Sequence, residues 1–164
     1  ALRRLENNGI VEHRPRIGAV IRQLSHIEVV ELYEMRVVLE GTAASMAARH
    51  GSDAEFDALE AMNLAIETRR AEPQICASIN QDFHQALYLA ARNRFLMSSA
   101  KAINNALLLL GPTTYTDPNR IDTILTQHTD ILTALRARDA IAAGAAAEAH
   151  LQASLRYRLK GGYT

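Results

Sequence analysis

The sequence predicts an all-α protein: an antiparallel bundle of six helices, preceded by a helix end and a two-stranded ribbon. Three observations carry that expectation. Alanine supplies 28 of the 164 residues, while glycine supplies 8, proline 4 and tryptophan none, and alanine gives up no side-chain entropy on entering a helix. From Ser25 onward apolar residues recur at three- and four-residue spacing, the period of helices with one buried face. The breaks between these runs are short, which favours antiparallel neighbours. A hydrophobic fraction of 48% with 22% charged residues fits a soluble globular chain and excludes a disordered or collagen-like one.

The first 24 residues differ from the rest. They hold five arginines (Arg3, Arg4, Arg14, Arg16, Arg22) against two glutamates, a net of +3, whereas residues 25–164 carry 13 basic and 16 acidic groups, a net of −3. The overall balance of 18 against 18 therefore hides a basic head on an acidic body. Leu2 and Leu5 share a helical face, and Asn7-Asn8-Gly9 supplies its stop. Ile10–His13 and Ala19–Arg22 read as short strands around the turn residues Arg14–Gly18. A helix followed by a ribbon with a basic tip reads as the tail of a winged helix-turn-helix, with an arbitrary surface hairpin as the alternative. Ala1-Leu-Arg-Arg-Leu-Glu lacks a helix start signal and is not a signal peptide, so the chain is expected to begin inside a domain. The division falls at residue 24: the end of a winged helix over 1–24, then a helical domain over 25–164.

Within the body, each helix has its own signals. Ser25–Glu28 and Ser52–Glu55 are capping boxes that open the first two helices, with Gly51 ending the first. Their buried stripes are Leu32, Leu39, Ala43 and Met46, then Phe56, Leu59, Met62 and Ile66. Pro73 suits the first turn of the third helix, which turns Ile75, Ile79, Phe83, Leu87 and Ala90 inward. The fourth runs from Arg94 to Leu110, with Leu96, Ile103, Leu107 and Leu110 inward, until Gly111-Pro112 breaks it. The fifth starts near Pro118 and buries Ile121, Ile124, Leu125, Ile131, Leu132 and Leu135. Asp139 caps the sixth, which runs to about Leu159, leaving Lys160–Thr164 as a frayed end. No apolar run approaches the ~20 residues of a membrane span. The single Cys76 excludes an internal disulfide framework and fits the cytoplasm.

Several residues do not suit a plain bundle. His84, His128 and His150 fall on or beside the buried faces of three different helices, where an imidazole costs free energy unless its nitrogens find partners. Two readings stand: histidines bonded to one another and to water, or a tris-histidine site for a divalent metal. Asn80, one turn before His84, is placed to add an amide oxygen. Arg36 lies on the buried stripe of the first helix and needs an anion, either an internal partner such as Glu40 or a ligand carboxylate held bidentately.

These residues resemble a known family. Ala1–Glu12 with Arg16-Ile-Gly-Ala-Val looks like the recognition-helix end and wing of GntR-type bacterial transcription regulators. The body resembles the FCD effector domain of the FadR subfamily, through Leu32-Tyr-Glu-Met-Arg-Val-Val-Leu-Glu, Asn80-Gln-Asp-Phe-His, Gln127-His-Thr-Asp-Ile-Leu-Thr-Ala-Leu with Asp139, and His150-Leu151. Six helices rather than seven look more like its VanR-type branch. The resemblance implies a divalent metal held by His84, His128 and His150, with Asn80 where the family has aspartate. That departure removes a negative charge, weakens the expected site and leaves its occupancy open. Zinc is the first expectation, with nickel or manganese as alternatives. It also implies a small organic acid effector at Arg36, a homodimer, and operator DNA met by Arg3, Arg4, Arg14 and Arg16. The expected function is a ligand-responsive repressor rather than an enzyme. The competing readings are a metal-dependent, hydrolase-like enzyme and a metal-free structural or dimerisation bundle.

Overall fold

The computed structural model describes residues 11–160. The helix end expected around Leu2 and Leu5, its stop at Asn7-Asn8-Gly9, and Arg3 and Arg4 lie outside the described residues. The ribbon consists of β1 (Val11–Arg14) and β2 (Gly18–Ile21), antiparallel, with Val11 opposite Ile21 and Arg14 opposite Gly18. Arg14 thus closes the first strand rather than opening the turn, and the pairing ends at Ile21 instead of Arg22. The three-residue turn between the strands is why. Ile17 donates its backbone N–H to the Arg14 carbonyl at 3.2 Å, with Arg16 at φ 69° and Gly18 at φ 95°, left-handed conformations that reverse the chain tightly.

Six helices follow: α1 (His26–His50), α2 (Asp53–Thr68), α3 (Pro73–Ala90), α4 (Arg94–Ala106), α5 (Pro118–Arg136) and α6 (Ala140–Lys160). Both capping boxes form, with Ser25 and Ser52 each accepting from the backbone N–H three residues on. Pro73 and Pro118 occupy the first turns of α3 and α5, where a missing N–H costs nothing. Asp139 accepts from the N–H groups of Ile141 and Ala142 at the start of α6. Among the described residues no helix is long and apolar enough to cross a membrane.

Three local expectations change. The fourth helix stops at Ala106 and tightens into a 3-10 turn over Leu107–Leu109. That turn buries Leu109 and Leu110 and leaves Leu107 only half-buried. Ile75 is 38% exposed, because the inward face of α3 runs through Cys76, Phe83, Leu87 and Ala90. On α2 the polar Asn63 is buried where Met62 was expected, and Met62 is half-buried.

The main core joins Phe56 and Leu59 of α2, Phe83 and Leu87 of α3, and Ile131 and Leu135 of α5 to alanines of α1 and α6. Those alanines let the two longest helices approach closely. A Cβ on Gly144 of α6 would lie 3.2 Å from the Gly41 carbonyl oxygen of α1. A second cluster packs Leu24, Val29, Leu32 and Tyr33 against Leu109, Leu110 and Leu151. In it, Leu24 donates its N–H to the Leu109 carbonyl at 3.5 Å. The ribbon therefore enters the bundle beside the 3-10 turn.

Candidate metal and ligand site

Helical spacing brings the three histidines together. His84 of α3, His128 of α5 and His150 of α6 are all buried, and one ring nitrogen from each lies within 4.8 Å of the others. Their ring centroids are 5.6, 5.2 and 4.9 Å apart pairwise. Phe83 stacks on His128 with centroids 3.9 Å apart and an interplanar angle of 1°, which fixes the plane of that imidazole.

In every case the Nδ1 atom faces an oxygen from another helix or turn of helix. His128 Nδ1 is 3.1 Å from Asn63 Oδ1, and His150 Nδ1 is 2.9 Å from Gln127 Oε1. His84 Nδ1 meets the Glu40 carboxylate. An amide oxygen can only accept, so Nδ1 of His128 and of His150 carries the proton and donates it. In the neutral ring the lone pair is then left on Nε2. For His128 this Nε2 is buried without a hydrogen-bond partner. Burial, followed by the neighbouring histidine and arginine charges, pushes His128 and His150 well below the usual imidazole pKa. Neutral imidazoles with the tautomer set by an outer oxygen are the state a metal requires.

Asn80 lines the same cavity, and its Oδ1 is buried and unpartnered. An orphaned amide oxygen lining the cavity with His84 and His150, next to a cluster of three imidazoles, is a donor set that fits a borderline divalent ion. Asp82, two residues before His84, is exposed. Cys76 is a buried free thiol raised in pKa chiefly by burial, and its contacts are to the Ile66 and Arg69 carbonyls.

Arg36 answers to both readings of it. Its guanidinium is buried, lies over the Tyr33 ring at 4.9 Å, and reaches Glu40 at 3.7 Å. It also lines the cavity. Burial acts to raise the Glu40 carboxyl, but His84 and Arg36 beside it hold it below the usual carboxylate range. Glu40 thus serves two partners, one oxygen toward each.

The cavity has a volume of about 580 Å³ and runs from His84, His150 and Asn80 to a second polar end at Tyr115, Arg120 and Arg158. That end was not anticipated from the sequence, nor were Asn63 and Gln127 as partners of the histidines. Arg120 carried a readable signal: it stands four residues before Ile124 and eight before His128 on the buried stripe of α5, the same anomaly that marks Arg36. Asn63 offered none, because its partner is 65 residues away. On the ribbon, Arg14 and Arg16 are exposed, and Arg14 pairs with Glu12 at 2.7 Å.

Comparison with known proteins gives four results. A model of the FCD domain matches residues 31–153. The chain is 28% identical over 147 residues to the "Uncharacterized HTH-type transcriptional regulator YdhC" of Bacillus subtilis (strain 168), covering 87% of this chain and 65% of that protein. It is 28% identical over 159 residues to the "Probable D-xylose utilization operon transcriptional repressor" of Paenarthrobacter nicotinovorans, covering 94% of this chain and 69% of that one. Among solved structures, E. coli McbR/YncC superposes with a TM-score of 0.84 at 15% identity, over 98% of this chain and 82% of that chain. This last likeness concerns the fold alone. The chain spans about two thirds of the length of these curated relatives.

Proposed function

The chain belongs to the FCD family of GntR-type regulators, and on that premise we propose that its helical bundle senses a ligand for a DNA-binding transcription regulator. One observation carries the reading: three buried imidazoles converge, with Nδ1 of His128 and of His150 bonded to Asn63 and Gln127 and that of His84 against the Glu40 carboxylate. His84, His128 and His150, with the Asn80 amide oxygen, hold a divalent ion, zinc first. When bound, the ion supplies a Lewis-acidic partner for a carboxylate. Arg36 supplies the opposing cation, with Glu40 holding it in place.

The protein's own residues set the rest. Phe83 and the bundle core exclude water behind the histidines. Arg14 and Arg16 of the ribbon, with Arg3 and Arg4 before it, contact operator DNA in a homodimer. A small carboxylate favours one arrangement of that dimer and so alters operator affinity.

Zinc titration of native protein and His128→Ala, with metal analysis, tests the metal site. Equal metal content in the two sinks it. Thermal shift against small organic acids, native against Arg36→Ala, tests the effector end. Stabilisation that persists in Arg36→Ala removes that arginine from the site.

A further inference from the structure

The second end of the cavity carries charge that no carboxylate among the described residues neutralises. Arg120 is 4% exposed, yet among the described residues no carboxylate comes within ion-pair distance of it. One guanidinium nitrogen donates to the Ser154 hydroxyl, the group lies 5.3 Å from the centroid of the Tyr157 ring, and its Nε is buried with no partner. A buried cation held only by a neutral hydroxyl and a ring is costly unless an anion completes it. A second cation stands close by. Arg158 donates to the Leu110 carbonyl at 2.8 Å, and its Nε is likewise buried and unpartnered. Tyr115, also lining the cavity, has a buried hydroxyl without a partner. Three unsatisfied buried groups at one end of one cavity describe an anion site.

Its distance from the histidines is fixed by the helices. Ser154 follows His150 by one turn of α6 and donates its hydroxyl to the His150 carbonyl at 3.0 Å. Ser154 and His150 are thus offset by roughly 6 Å along the helix axis, from a rise of about 1.5 Å per residue. One cavity of about 580 Å³ is lined by both ends, so one small molecule with an anionic group at each end can meet both.

We propose that the cavity takes a small organic dianion, with one carboxylate at the His84–His128–His150 and Arg36 end and the second anionic group at Arg120 and Tyr115. This rests on the effector reading above and narrows it. A monocarboxylate fills only the first end and leaves Arg120 unpaired. A dicarboxylate satisfies both, and so does a phosphorylated carboxylic acid.

Isothermal titration of the zinc-supplemented protein tests it with matched probes: succinate against butyrate, glutarate against valerate, and 2-phosphoglycolate. The expected result is at least tenfold tighter binding of each dicarboxylate than of its monoacid. 2-Phosphoglycolate then decides whether phosphate is accepted at the second end. In Arg120→Gln the dicarboxylate advantage falls to about onefold while monoacid affinity and zinc content are unchanged. Arg120→Lys keeps part of the advantage and guards against loss of folding, and the native dicarboxylate-to-monoacid ratio needs no variant. Equal binding of monoacids and dianions overturns the proposal but leaves the effector reading standing, as does an advantage that survives in Arg120→Gln. Failure of every acid to bind, with or without zinc, overturns both.

Discussion

The imidazole of His128 stands 3.1 Å from the side-chain oxygen of Asn63, a residue 65 positions earlier on a different helix. Asn63 is itself held. Its amide nitrogen donates to the Leu125 carbonyl at 3.2 Å and lies 3.4 Å from the Thr129 hydroxyl. With the nitrogen so engaged, only the oxygen can face His128, and the imidazole must donate from Nδ1. An asparagine buried on α2 thereby decides which nitrogen of His128 is free for a ligand.

Removing that constraint has a measurable cost. Asn63→Ala should lower zinc affinity by roughly 10–100-fold, the usual effect of losing an outer partner of a ligating histidine. Competition titration against a chelating dye reads it. An affinity within twofold of native would detach Asn63 from the metal site.

The amide at position 80 can be changed in the opposite direction. Asn80→Asp places a carboxylate where an uncharged oxygen is now buried and unpartnered. Zinc affinity should rise by about tenfold or more, equivalent to about 1.4 kcal/mol. The same competition titration serves. A carboxylate that changes nothing would show that residue 80 does not ligate.

The contact between α1 and α6 leaves no room at Gly144. Gly144→Leu forces a side chain against the Gly41 carbonyl, which a Cβ alone would approach to 3.2 Å. Overpacking of this kind costs about 1–3 kcal/mol, to be measured by urea denaturation. Gly41→Ala should be milder, because the atoms its Cβ meets belong to the flexible, exposed side chain of Glu148. The reverse order of stability would mean that the two helices are not packed as described.

Asp117 predicts a pH dependence. It caps α5 through the Asn119 N–H at 2.9 Å and accepts the Tyr157 hydroxyl of α6 at 2.7 Å. The Tyr157 bond, more than any other contact, holds its carboxyl below the ordinary aspartate value of 3.8. A depressed folded-state pKa means the stabilisation is present above the unfolded value and is lost as pH falls through the folded one. Tyr157→Phe should therefore lower Tm at pH 7, and the gap to native protein should close toward pH 2. A gap that is constant from pH 7 to pH 2 would assign the loss to packing rather than to the hydrogen bond.

Much of the fold was written in local signals. Ser25–Glu28 and Ser52–Glu55 are contiguous motifs whose chemistry is complete within four residues, so the sequence marks the starts of α1 and α2 to the residue. Pro73, Pro118 and Asp139 do the same for α3, α5 and α6. The end of α4 was not legible in this way. Leu107 to Leu110 continues the apolar run, and only packing against Leu24 and Tyr33 selects the 3-10 turn. The histidines were visible because a polar ring on an apolar stripe is conspicuous. Their partners were not, since Asn63 and Glu40 become neighbours of His128 and His84 only when four helices assemble. Arg120 falls between these cases: its place on the stripe of α5 was readable, but its lack of a counter-ion is a property of the assembled cavity.

The hydrogen bond from Leu24 to Leu109 has a mechanical meaning. Leu107, Leu108 and Leu110, flanking that acceptor in the 3-10 turn, line the cavity, while Leu24 is three residues beyond the last residue of β2. The ribbon and the cavity wall therefore share an attachment point, with two residues of chain between the end of β2 and that bond.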